Sequence, residues 1–133
     1  MHRRRLTPLI LALVSLTIAS CSKSPAEMIQ VTDKDKGTTV VLARDRRLEI
    51  SLPSNRTTGY TWTLVSDGKP ALEPQLPSVY TPQGETPGAG GIERFVFKAL
   101  QPGPARIKMI YHRPFEPDAA PAETFEMKVS VTP

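Results

Sequence analysis

From Met28 onward, apolar and polar residues alternate in short runs and nowhere recur at the spacing of a helix face. Leu48, Ile50 and Leu52 alternate with Glu49 and Ser51, and Tyr60, Trp62 and Leu64 alternate with Thr61 and Thr63. Phe95, Phe97 and Ala99 share one side of 92–100. Ala105, Ile107, Met109 and Tyr111 oppose Arg106, Lys108 and His112, with Ile110 breaking the pattern. Phe125, Met127, Val129 and Val131 oppose Glu126, Lys128 and Ser130. Each run predicts a strand with one dry and one wet face, as in an antiparallel sheet, and puts Trp62 in the core. Two β-rich runs, 28–32 and 38–43, precede these, separated by a charged turn ending at Gly37. Residues 66–77 carry Gly68, Pro70, Pro74 and Pro77 and read as a loop or irregular edge, followed by a short extended piece over 78–81. Gln101-Pro102-Gly103 is a tight turn. There is no internal repeat. The expected fold class is all-β: an immunoglobulin-like antiparallel β-sandwich of about seven strands.

If the chain reverses at each connection from 47–53 onward, the loops 54–59, 82–91 and 113–122 share one end of the sandwich. The 101–103 turn falls at the other end. The three longest and most distinctive connections are thereby expected to form one surface.

The N-terminus changes the picture of charge. Arg3, Arg4 and Arg5 precede an apolar stretch over 6–20, the form of a secretory signal and too short for a transmembrane span. Leu16-Thr17-Ile18-Ala19-Ser20-Cys21 resembles a bacterial lipobox, in which cleavage before the cysteine leaves it to be lipidated. An odd cysteine in an exported chain needs an explanation, and lipidation supplies it; the alternative is a secreted protein cleaved nearby with a stray thiol. Three segments are expected: signal peptide 1–20, lipidated tether 21–27 and sandwich domain 28–133. The membrane would be a partner through the lipid on Cys21. Ser22 is not the aspartate that holds some lipoproteins at the inner membrane, so the expected location is the bacterial cell envelope, at the periplasmic face of the outer membrane. Without residues 1–20 there remain 14 Lys and Arg against 13 Asp and Glu, a formal charge of +1. The basic composition thus belongs mostly to the signal, and nucleic-acid binding loses its support.

The loops carry the chemistry. In Asn55-Arg56-Thr57-Thr58-Gly59-Tyr60, the two threonines are stiff and bear hydroxyls that can face a partner's backbone. Gly59 allows a backbone conformation other residues avoid. The second loop ends Gly88-Ala89-Gly90-Gly91, whose bare backbone can approach another surface or simply form a flexible hairpin. No Gly-Lys-Ser/Thr follows it and no helix opens after it, so a phosphate-binding loop has no support. The third begins Arg113-Pro114-Phe115, where prolines stiffen the chain and an aromatic sits beside an arginine, as at interface hot spots. Phe115 would otherwise fold back onto the sandwich end.

An enzyme is poorly supported. Past the signal the only histidine is His112, and nothing positions it with Asp118 and a serine. Glu49, Glu93, Glu116 and Glu126 are scattered without metal-ligand spacing. No cofactor or metal is expected.

In order and spacing, Asn-x-Thr-Thr-Gly-Tyr with Trp two residues on, Gly-x-Gly-Gly, and Arg-Pro-Phe-Glu together resemble the chagasin family of papain-like cysteine protease inhibitors, over residues 48–133. The resemblance implies an immunoglobulin-like fold and reversible, cofactor-free occlusion of the protease cleft by a monomer. It assigns Asn55, Arg56, Thr57, Thr58, Gly59 and Tyr60 to the central wedge, with Thr57 and Thr58 nearest the enzyme's thiolate. Gly88, Gly90 and Gly91 would line one wall, and Arg113, Pro114 and Phe115 the other. Arg56 stands where the family commonly has proline, and Phe115 where tryptophan is more usual. Loss of the proline is expected to weaken preorganisation by ~0.5–1 kcal/mol. The competing expectation is an envelope lipoprotein binding another partner, such as a lysozyme or an assembly component.

Overall fold

The computed structural model describes residues 27–133; the expected signal peptide, Cys21 and the tether as far as residue 26 lie outside the described residues. Eight strands follow one another: β1 (Met28–Thr32), β2 (Thr39–Ala43), β3 (Arg47–Ser54), β4 (Thr61–Asp67), β5 (Leu72–Pro82), β6 (Gly91–Ala99), β7 (Gly103–His112) and β8 (Glu123–Thr132). They form two four-stranded sheets, ordered β1-β3-β6-β5 and β2-β8-β7-β4.

The all-β sandwich is as expected, but it is not purely antiparallel. β1 runs parallel to β3, with Met28 opposite Arg47 and Thr32 opposite Ser51, and β2 runs parallel to β8. Both pairs follow from chain reversal at every connection. Two odd-numbered strands must point the same way, as must two even-numbered ones, while each remaining pair joins odd to even and is antiparallel. A 3-10 turn at Asp33–Asp35 carries the chain from β1 in one sheet to β2 in the other. Thr32 and Asp35 close that turn reciprocally, side chain to backbone.

The second difference is the extent of β5. The proline-bearing stretch, expected as a loop or irregular edge, is the irregular edge: from Leu72 it joins 78–82 in one long strand, pairing with β6 from Leu72–Ala99 to Pro82–Gly91. Its register slips between Gln75 and Val79, where Leu76, Pro77 and Ser78 leave the ladder. β5 lies at the sheet's edge, so a proline there removes no hydrogen bond from an interior ladder. The prolines therefore mark an edge and not a gap.

Inward residues are those picked out by alternation. Leu48, Ile50, Leu52, Phe95 and Phe97 from one sheet meet Trp62, Ile107, Met109, Phe125, Met127 and Val129 from the other, all buried. The Trp62 indole N–H donates to the Pro53 carbonyl at 2.9 Å, joining the two sheets just below the first loop and satisfying the indole's donor. Phe97 is wholly enclosed. Phe97→Ala is expected to lower the unfolding free energy by about 3–5 kcal/mol, read as a reduced urea midpoint with an unchanged slope.

Candidate functional site

Strands β3, β5 and β7 run toward one end of the sandwich and β4, β6 and β8 run away from it, so the three expected loops emerge together. Ser54 lies opposite Gly91, and Pro82 faces the same glycine from the other side. Thr61 lies opposite His112, and Tyr111 opposite Glu123.

The first loop is a single 3-10 turn over Arg56–Thr58, capped by Asn55 and ended by Gly59 in the left-handed region at φ 79°. The Asn55 side-chain oxygen accepts from the Thr57 N–H at 3.1 Å and the Thr57 hydroxyl at 2.6 Å. The Thr58 hydroxyl donates to the Asn55 carbonyl at 2.6 Å. Both hydroxyl protons are therefore spent inside the loop. The hydroxyls were expected to be able to face a partner's backbone; with their protons used internally, what the exposed threonines offer a partner is methyl groups and acceptor lone pairs. Their main effect is internal order.

Neighbouring loops brace this turn. The Asn55 amide donates to the Gly88 carbonyl at 3.1 Å, tying the first loop to the second. On the other side the Arg113 guanidinium donates through Nε to the Thr58 carbonyl at 3.2 Å and sits over the Tyr60 ring at 4.5 Å. Tyr60 stacks on Tyr111 with centroids 5.2 Å apart, Tyr111 lies 5.0 Å from Trp62, and the Tyr111 hydroxyl accepts the Asn55 N–H at 2.8 Å. An aromatic column thus rises from the core to the loop.

Phe115 is 68% exposed, and its ring covers Gly59: a Cβ at that glycine would fall 2.9 Å from the ring. The ring neither returns to the core nor stands free. Pro114 is exposed beside it, and the Arg113–Glu116 ion pair, 3.7 Å, crosses the start of the third loop.

Of the glycines in the second loop, Gly88 is exposed in the left-handed region and Gly90 lies against the Ser54 carbonyl. Gly91 belongs elsewhere. It is a buried β6 residue where any side chain would strike the Thr81 carbonyl and the Tyr80 ring, so close strand packing accounts for its being glycine.

Sequence reasoning gave Glu93, Tyr80, Ser78 and Tyr111 no part in the loop face. Glu93 is 2% exposed, and its carboxylate accepts from the Ser54 hydroxyl at 3.2 Å, the Ser78 hydroxyl at 2.7 Å and the Arg56 guanidinium at 3.1 Å. A signal was present: a carboxylate occupies an inward position in the alternation Gly91, Glu93, Phe95, Phe97, Ala99. His112, the residue an enzyme reading would have needed, instead shares a 2.8 Å hydrogen bond with the Thr63 hydroxyl on β4. Among the described residues, no group of His, Cys, Asp and Glu side chains is placed to hold a metal ion.

The profile of the Chagasin family peptidase inhibitors matches residues 41–129, which take in all three loops. The chain belongs to the chagasin family. Amoebiasin-1 of Entamoeba histolytica is 32% identical over 106 residues, a match covering 77% of this chain and 99% of that protein. Chagasin of Trypanosoma cruzi is 30% identical over 100 residues, covering 72% of this chain and 91% of its own. The crystal structure of the cysteine protease inhibitor EhICP2 from Entamoeba histolytica shares the fold with a TM-score of 0.71 at 21% identity, over 79% of this chain and 96% of that one. Membership of the chagasin family places the chain with protease inhibitors and not with enzymes.

The meeting of Gly59 and Phe115 can be tested directly. Gly59→Ala should destabilise the protein by about 1–2 kcal/mol through left-handed backbone strain. It should also displace the Phe115 ring, read as shifts of the ring resonances in an NMR spectrum that is otherwise unchanged.

Proposed function

We propose that this chagasin-family chain inhibits papain-like cysteine proteases reversibly and without a covalent bond, by seating its three-loop face in the active-site cleft. The observation that carries this reading is that the three loops are bonded to one another before any partner arrives, through Asn55 to Gly88 and Arg113 to Thr58. A face already ordered loses little conformational entropy on binding. The 3-10 turn at Arg56–Thr58 is compact, so it blocks the cleft without offering an extended peptide for cleavage. Thr57 and Thr58 are assigned to the position over the thiolate, with Asn55, Arg56, Gly59 and Tyr60 completing the wedge. Gly88 and Gly90 lie along one wall with Gly91 behind them, and Arg113, Pro114 and Phe115 along the other. The Phe115 ring is the apolar anchor, held in place by Gly59 and so presented at small entropic cost.

The same proposal includes a lipid anchor on Cys21, a tether over 21–27 and residence at the periplasmic face of the outer membrane. Its support is the basic and apolar leader and the position of the lone cysteine. The topology suits such an anchor: β1 starts opposite Arg47, at the far end of β3 from Asn55, so the tether would join the pole away from the loops. Seven residues reach at most ~25 Å when extended, and a protease would still meet the inhibitory face from the open side.

Two measurements test these readings. A chain starting at Ser22 should inhibit papain and a cathepsin L-type enzyme reversibly at nanomolar concentration. Thr58→Ala combined with Phe115→Ala should weaken inhibition by at least about thirtyfold, the scale of a lost hot spot. Absence of inhibition by the folded protein at micromolar concentration would overturn the protease reading. For the anchor, the full-length chain expressed in bacteria should incorporate labelled palmitate and sediment with membranes, and Cys21→Ser should abolish both; a Cys21→Ser chain that still carries label and sediments would reject it.

A further inference from the structure

Beneath the first loop lies a buried carboxylate that the inhibitory face does not display. Glu93 on β6 has a side chain only 3% exposed, and its three donors come from β3 (Ser54), β5 (Ser78) and the loop itself (Arg56). A carboxylate so enclosed must be supplied with donors, because burying it unpaired would be strongly unfavourable. The two serines draw neighbouring strands to it, and the third donor reaches down from the wedge. Arg56 is the first residue of the 3-10 turn, its side chain is 51% exposed, and its guanidinium lies 4.6 Å from the centre of the Tyr80 ring while bonding Glu93. The other ties of the turn to the second and third loops are exposed hydrogen bonds, which water competes for. The cap's own N–H is also tied, half-buried, to the Tyr111 hydroxyl, but only the Glu93 tie holds a residue of the turn itself to a fully buried charged group.

We infer that Glu93 is a positioning residue: through Arg56 it holds the central wedge in its binding conformation from below. At the first position of a helical turn, order can be supplied in either of two ways. A proline does so through its ring, which presets φ near −65°. Arg56 does so through its side chain, anchored to Glu93 and laid on Tyr80. The replacement of a backbone restraint by a side-chain restraint thus keeps the wedge ordered, offsetting the entropy expected from the missing proline. The inference builds on the protease-inhibitor reading for its affinity consequence, but not for its structural one.

The experiment compares the wild type, Glu93→Gln, Arg56→Pro and the double variant in papain inhibition. Backbone order parameters are measured for Thr57, Thr58 and Gly59 in the free proteins. Glu93→Gln should raise the inhibition constant about five- to tenfold, the scale of one charge-assisted hydrogen bond partly open to solvent. It should also lower the loop order parameters from about 0.85 toward 0.6. Arg56→Pro removes a residue of the wedge and so sets its own reference constant; in that background Glu93→Gln should change the constant less than about twofold and leave the loop order parameters where they are. Equal losses in both backgrounds would reduce Glu93 to support of the fold and overturn the inference, as would no loss in either. Should Glu93→Gln fail to give a cooperative thermal transition, Arg56→Ala against Arg56→Pro decides. Order parameters at Thr57, Thr58 and Gly59 that fall with alanine and hold with proline in the free proteins support positioning; values that fall equally in both, or in neither, overturn the inference. If the wild type inhibits no protease, the functional reading fails by itself, and the order parameters still decide whether Glu93 holds the loop.

Discussion

A two-sheet sandwich can bury alternate residues of every strand only if the chain turns at its ends, and this constraint organises the molecule. Once the inward faces of β3, β6, β7 and β8 are dry, each connection is confined to one pole or the other. Strict reversal then sends the loops after β3, β5 and β7 to the same pole. The same rule yields the parallel β1–β3 and β2–β8 pairs, which close both sheets with strands of like parity. The functional face is thus a consequence of burial: the core decides where the loops meet before any loop residue acts.

Order in that face is built without a core of its own. Its side chains are mostly exposed, and the internal bonds of the first loop, from Thr57 and Thr58 to Asn55, do not by themselves fix it to the sandwich. Stiffness comes from cross-bracing. Asn55 and Arg113 tie the first loop to its neighbours, the Tyr60–Tyr111–Trp62 column connects it to the sandwich interior, and Glu93 reaches it through Arg56. The threonines at the tip contribute by turning their hydroxyl protons inward, which leaves methyls and lone pairs as the contact surface. Such a surface favours complementary shape over strong donors and suits occlusion without chemistry.

Several of these features were legible in the chain. Alternation identified Trp62 and the other core residues, because a pleated strand places every second side chain on one face. Parity placed the three loops together, and their motifs, in order, agree with the chagasin family. Other features were hidden. The prolines of 70–77 left a loop and an irregular edge strand both open; an edge strand tolerates them because its outer side has no partner in the sheet, and edge position is a property of the assembled sheet. Gly91 sits in a glycine-rich string but is glycine for the sake of β5.

What the sequence determined by itself is the set of local preferences: which residues face inward, where the chain must turn, and which loops carry glycine, proline and aromatic side chains. These follow from side-chain polarity and backbone stereochemistry within a few residues. Only the tertiary structure decided that Glu93, Ser54, Ser78 and Arg56 share one polar site, that Phe115 lies on Gly59, and that β1 and β2 pair in parallel. Each of these joins residues far apart in the chain, and such contacts form only when burial of the two sheets has set the distance between them.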